Sequence, residues 1–271
     1  MAIVDVHTHI YPGKISEKAT RAVGNFYELE MFGEKPGIGE AAGTVEQLLE
    51  VTSDSPITHH VVHSVATKPE QVQSINNFII SECALHTQLI GFASMHQDYE
   101  NPEDELLRIK AAGLRGVKIH PDIQHVNLDD DRLMKVYEAC EQLELPLILH
   151  MGDYRYDYSH PRRLVNVLRS FPKLVVDAAH MGGWSIFEIA LDYLKNEQCF
   201  VDISSTFIFS GVRRARELVQ AYGADRVLFG SDYPMESPVH EYELFMQLGL
   251  SDSDNEKILW HNAEHFLGMK I

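Results

Sequence analysis

Leu145-Pro146-Leu147-Ile148-Leu149-His150 is an apolar run that ends in an imidazole. Apolar residues that do not alternate with polar ones suit a strand buried on both faces, as in a parallel sheet covered by helices. The pattern recurs. Val4-Asp5-Val6-His7-Thr8-His9, Gly116-Val117-Lys118-Ile119-His120-Pro121, Val175-Val176-Asp177-Ala178-Ala179-His180 and Leu228-Phe229-Gly230-Ser231-Asp232 each close an apolar stretch on a potential metal ligand. Parallel barrels deliver functional groups in this way, at the C-terminal rim of their strands.

Candidate strands fall at 2–6, 60–65, 89–94, 115–119, 146–150, 174–178, 199–203 and 226–229. Between them run segments of helical period. Leu133, Val136, Tyr137, Cys140 and Leu143 predict a helix over 131–144, and Ile186, Ile189, Ala190, Tyr193 and Leu194 predict one over 185–195. Strands alternating with helices point to an α/β fold, a single (β/α)8 TIM barrel over residues 1–271. A doubly wound open sheet is the rival, which periodicity alone does not separate. The stretch 25–43 holds Gly33, Gly37, Gly39, Gly43 and Pro36 and reads as a loop over the rim, with 25–60 as an irregular insertion.

Lys and Arg number 23 against 40 Asp and Glu, a formal net charge of −17. That balance disfavours nucleic acid and anionic membrane surfaces as partners. It leaves room for an anionic substrate, since a bound divalent cation dominates its local field. Cys83, Cys140 and Cys199 sit far apart among apolar neighbours and read as buried free thiols of a reducing compartment. The first residues lack the basic and apolar regions of a secretory signal, and no run reaches the ~18 apolar residues of a membrane span. The expected location is cytoplasmic. A homo-oligomer is compatible with the sequence, which leaves the oligomeric state open.

A lone His-x-His is more often two surface histidines than a metal site. Here His7 and His9 follow an apolar strand, and period-two spacing turns both imidazoles to one side. His150 closes the fifth candidate strand and Asp232 the eighth, so these four meet only if a barrel brings first and last strands together. Imidazole-rich ligation with one carboxylate favours zinc, with manganese or iron compatible. His180 ends the sixth candidate strand and is read as the group that handles a proton near the bound water. Lys118 and His120 aim the same way. Lys118 either anchors a substrate carboxylate or, if carboxylated, bridges a second ion, and Arg155 offers another cation to a carboxylate. Asp202, Arg162 and Arg213 are further rim candidates, whereas His59, His60, His86, His240, His261 and His265 are read as structural or solvent-facing.

At these residues the chain resembles the amidohydrolase superfamily, in the amidohydrolase-related (amidohydrolase 2) branch of hydrolases and non-oxidative decarboxylases. The matching strings are Asp5-Val6-His7-Thr8-His9, Gly113 to Pro121, Leu145 to Gly152, His180-Met181-Gly182-Gly183 and Phe229 to Pro234. The resemblance implies a barrel with one divalent metal, usually zinc, held by His7, His9, His150 and Asp232. It implies that Asp232 also transfers protons and that His180 lies beside the metal-bound water. The expected reaction is hydrolysis of a small ester, lactone or amide, its substrate a small molecule carrying a carboxylate, by a metal-activated water. The alternative is a carbon–carbon lyase that decarboxylates an aromatic or unsaturated acid. A third reading, of another class, is a catalytically silent metal-binding barrel.

Overall fold

The computed structural model describes residues 3–33 and 37–271. Ala2, expected to open the first strand, and Pro36 of the glycine-rich loop lie outside the described residues. Eight parallel strands run in order: β1 (Ile3–His9), β2 (Ile57–His63), β3 (Leu89–Ser94), β4 (Gly116–Ile119), β5 (Leu147–Leu149), β6 (Val176–Ala178), β7 (Val201–Asp202) and β8 (Val227–Leu228). Strands β1 to β6 form one sheet in sequence order, and β7 pairs with β8.

Two sets of backbone bonds close the ring. Phe200 N–H donates to Val176 O at 2.8 Å and Ala178 N–H to Phe200 O at 2.9 Å, joining β6 to β7. Val6 N–H donates to Phe229 O at 2.9 Å and Asp232 N–H to His7 O at 2.8 Å, joining the end of β8 to β1. The fold is an α/β TIM barrel, and the open-sheet alternative is excluded.

Two apolar layers hold it. Val4, Val6, Phe92, Ile148 and Leu228 pack inside the barrel, and Phe266 of the last helix, Asn262–Leu267, plugs their lower end. A larger layer lies between strands and surrounding helices, where Leu133, Val136, Tyr137 and Cys140 bury the stripe read from the sequence. That helix runs Asp131–Gln142, its first turn capped by Asp130, which accepts from Arg132 N–H at 3.0 Å. The other expected helix runs Phe187–Leu194. Among the described residues no helix is long and apolar enough to cross a membrane.

The irregular insertion expected over 25–60 is shorter than that. Thr44 accepts from Gln47 N–H and starts helix α2 (Val45–Thr52), while β2 opens at Ile57. Before it, helix α1 (Ser16–Phe26) follows β1, and helix α3 (Val72–Leu85) follows β2. Between α1 and α2, Gly43 crosses close to β1 with φ +78°, where an added Cβ would stand 2.8 Å from the Tyr11 ring. Only glycine passes there without a shift.

Candidate metal centre and active site

The site begins with an irregularity in β1. Asp5 pairs with His60 and Thr8 with Val62, so β1 spends one residue more than β2 between those pairs. A bulge of this kind resets the side-chain alternation. Below it Val4 and Val6 face the apolar interior; above it His7 and His9 do. The bulge is held by Asp5, whose Oδ1 accepts from His7 N–H at 3.2 Å and from Ser231 N–H at 2.9 Å.

Around His7 the donors converge. His7 Nε2 lies 3.4 Å and His9 Nε2 3.3 Å from the same oxygen, Asp232 Oδ1. His7 Nδ1 is 2.7 Å from Asp202 Oδ2. A carboxylate only accepts, so the His7 proton sits on Nδ1 and its Nε2 lone pair faces the site. Lys118 Nζ donates to that lone pair at 2.9 Å. Burial, then the Lys118 ammonium, holds His7 at about 3, a neutral imidazole. Burial also draws Lys118 down to about 8, against the pull of Asp232, Asp202 and Asp177. Burial opposes ionisation of Asp232 too, but its imidazole surroundings, with the hydrogen bond from His9, outweigh burial and hold its carboxyl well below the usual range.

These residues fit a divalent cation. The His7 Nε2 lone pair and Asp232 Oδ1 face each other at 3.4 Å, two acceptors that call for a positive centre between them, and His9 Nε2 lies 3.3 Å from the same oxygen. Those spacings match the edge between ligand atoms each ~2.1 Å from a tetrahedral ion. His9 Nδ1 and both ring nitrogens of His63 are buried without a hydrogen-bond partner among the described residues. Donor atoms of His7, His180 and Asp232 lie within 4.8 Å of one another, as do those of His7, His9 and His63.

His150 stands one ring further off. Its Nδ1 is 3.0 Å from His180 Nε2, and its ring stacks on His120 with centroids 3.9 Å apart. With His120 and Asp122 it forms a third cluster of potential ligands. Ser204 orients His180, its Oγ 2.9 Å from His180 Nδ1. His180 and Asp232 both hold positive φ, 59° and 64°, a backbone state costly for residues with a Cβ and concentrated at functional sites.

A cavity of about 450 Å³ opens from these groups. His9, His120, His150 and Asp232 line one end; the remainder is mainly apolar, with Val23 and Phe26 of α1 and Ile75 and Phe78 of α3, and carries the uncharged polar side chains of Ser64, Thr67, Gln71 and Ser74. Among the described residues that line it, none is Lys or Arg, and Asp232 is the one carboxyl.

Two of the expected substrate contacts therefore stand elsewhere. Lys118 is fully buried beneath His7 and is not part of the wall. Arg155 spends its guanidinium on Asp153, at 2.7 and 3.0 Å, and on Phe26 O at 2.6 Å, behind the aromatic layer. His120 does line the cavity, its Nε2 2.6 Å from Tyr27 Oη, which also reaches His150 Nε2 at 3.2 Å. Sequence reading passed over Tyr27, Asp122 and His63. His63 had a signal, since Val61-Val62-His63 is itself an apolar strand ending in an imidazole; Tyr27 had none, being carried past the end of α1.

Over 253 aligned positions, 72% of this chain and 76% of the relative, the sequence is 26% identical to the gamma-resorcylate decarboxylase of Polaromonas sp. strain JS666. The fold is similar to that of a dihydroxybenzoic acid decarboxylase from Polaromonas sp. JS666 with bound manganese and the inhibitor 2-nitroresorcinol (TM-score 0.75, 16% identity, 98% of this chain and 97% of that one). It is also similar to a protein from Pseudomonas putida provisionally assigned as a 2-pyrone-4,6-dicarboxylic acid hydrolase (TM-score 0.68, 19% identity, 99% of this chain and 98% of that one). The clustered imidazoles at the barrel mouth agree with a sequence match that runs from residue 4 to residue 269, and this chain is an enzyme of the amidohydrolase family.

Proposed function

We propose that this enzyme decarboxylates a small aromatic carboxylic acid without an oxidant, and that His7, His9, His150 and Asp232 hold one divalent cation, zinc by the chemistry of the donor set. The observation that carries the reading is the cavity: one imidazole- and carboxylate-lined, cation-binding end and a mainly apolar remainder, with Val23, Phe26, Ile75 and Phe78 beside the uncharged Thr67, Gln71 and Ser74. An aromatic acid with a single carboxylate fits that division. A dicarboxylate would need a second positive group, and the described wall offers neither Lys nor Arg. The named relative at 26% identity, a decarboxylase, supports the same reading over the hydrolysis first expected.

When bound, the cation would supply positive charge that fixes the substrate's oxygens. The protein's own groups move the proton. Asp232 is ionised in the free protein, so the proton it delivers reaches it from solvent once the substrate carboxylate is bound. Asp232 passes this proton to the ring carbon bearing the carboxylate. The bond from ring to carboxylate carbon then breaks, its electron pair returns to the ring, and carbon dioxide leaves. Balance is kept: one carboxylate and one proton give one arene and one carbon dioxide. Tyr27 and His120 flank the acid, while Phe26 and Phe78 exclude water from the ring.

The test is incubation of the zinc- or manganese-loaded enzyme with a panel of hydroxybenzoates, reading released carbon dioxide. Release with at least one acid supports the reading. Its absence across the panel, with turnover of lactones or esters, would return the assignment to hydrolysis.

A further inference from the structure

We propose that His63 is a further ligand of the cation centre, binding the same ion as His7 and His9 from the β2 side. The inference rests on the reading of the centre above and is independent of the reaction. His63 ends β2 directly opposite His9 in the parallel register, and its side chain is fully buried. Its ring meets that of His9 edge-on, with centroids 4.4 Å apart and an interplanar angle of 89°, and that of His7 at 5.0 Å and 70°. Among the described residues neither His63 nitrogen has a hydrogen-bond partner, and His9 Nδ1 shares that condition. Buried polar atoms in native proteins almost always find a partner, and an imidazole with none is costly to bury. A histidine kept only for packing would have been served by an apolar residue of similar size.

The placement makes a ligand of it. One donor atom each from His7, His9 and His63 lies within 4.8 Å of the others, and His7 also belongs to the cluster with His180 and Asp232. An ion seated at His7 is thus approached from β1, β2 and β8 together. His63 is absent from the cavity wall, so substrate does not reach it. Its chemistry is directed at the ion. Added imidazole nitrogen favours zinc, cobalt or nickel over oxygen-seeking manganese, so His63 tunes which metal the enzyme keeps.

The experiment replaces His63 with Gln and, separately, with Cys in the full chain. Each protein is stripped of metal, then titrated with Co²⁺ against a chromophoric chelator while the visible d–d spectrum is recorded. In the proposed arrangement His63→Gln weakens Co²⁺ binding by more than about 100-fold, beyond the roughly 10–100-fold loss of a residue that only orients a ligand. It also changes the cobalt band pattern, and His63→Cys restores affinity with a new thiolate-to-cobalt charge-transfer band. A His63→Gln protein with the wild-type spectrum and affinity, as expected if ordered water satisfies the ring, overturns the proposal. So does a folded His63→Cys protein that binds cobalt without that band. Wild-type protein that binds no cobalt overturns both this inference and the cation-centre reading, whereas cobalt binding without decarboxylation overturns only the reaction.

Discussion

Asp202 accepts the Nδ1 proton of His7 at 2.7 Å, and that one bond decides which nitrogen of His7 faces the site. The other Asp202 oxygen accepts from the backbone N–H of His180 at 3.1 Å and of Ser204 at 3.0 Å. One carboxylate on β7 thus orients groups on β1 and β6. Asp202→Asn removes the charge and allows the wrong His7 tautomer. Zinc affinity is expected to fall by about 10–100-fold with little change in melting temperature. Chelator competition measures this, and unchanged affinity would show that His7 needs no orienting partner.

Metal content separates ligands from proton-handling groups. His7→Ala, His150→Ala and Asp232→Ala are expected to purify with less than stoichiometric metal, whereas His180→Asn keeps its metal and loses roughly 100-fold or more in kcat. Elemental analysis with steady-state kinetics decides it. In the structure His150 reaches His7 only through His180, so full occupancy in His150→Ala together with loss in His180→Asn would exchange their roles.

Asp5 carries a pH signature. Burial pushes its carboxyl up to about 7, against the opposing bonds from Ser231 and His7. Its folded pKa therefore lies above the unfolded value, and the native state binds the extra proton between about pH 4 and 7. Stability falls as pH rises through that window and is lowest, for this group, above it. Asp5→Asn keeps acceptors for His7 N–H and Ser231 N–H without the charge. It should melt higher than wild type at pH 8 and no higher at pH 4, by on the order of 4 kcal/mol at most. Calorimetry of the two proteins at both pH values tests it, and a gain independent of pH would point to packing instead.

The three thiols are expected to be inert in the native state. Burial raises Cys83 to about 12 and Cys199 to about 11, and raises Cys140 as well. A chromogenic disulfide reagent at pH 8 should label them slowly, and all three once the chain is unfolded in guanidinium. Rapid labelling of a native thiol would identify a local opening that the structure does not display.

The barrel was legible because parallel strands buried on both faces leave continuous apolar runs, and all eight candidate strands overlap observed ones. Ligand types were legible for the same reason: His7, His9, His120, His150, His180 and Asp232 each stand where an apolar run stops. What lay hidden depends on contacts between distant segments. Nothing in the composition of β1 announces its bulge, which arises from pairing with β2 and from the grip of Ser231 on Asp5. Arg155 looked free to meet a carboxylate because its own loop partner, Asp153, can be weighed only once the loop has folded back on Phe26. Helix α2 was missed because its cap, Thr44, follows a glycine that reads as more loop.

The extra residue in β1 has an evolutionary corollary. Because the strand changes phase at that point, selection on the lower half for oily filling and on the upper half for metal chemistry proceeds without conflict. Relatives can exchange ligands or pocket walls above the kink while inheriting the foundation below it. Excising a single position there would do the opposite of a local edit: His7 and His9 would swing outward together, and an intact scaffold would keep at its mouth only what the other strands contribute.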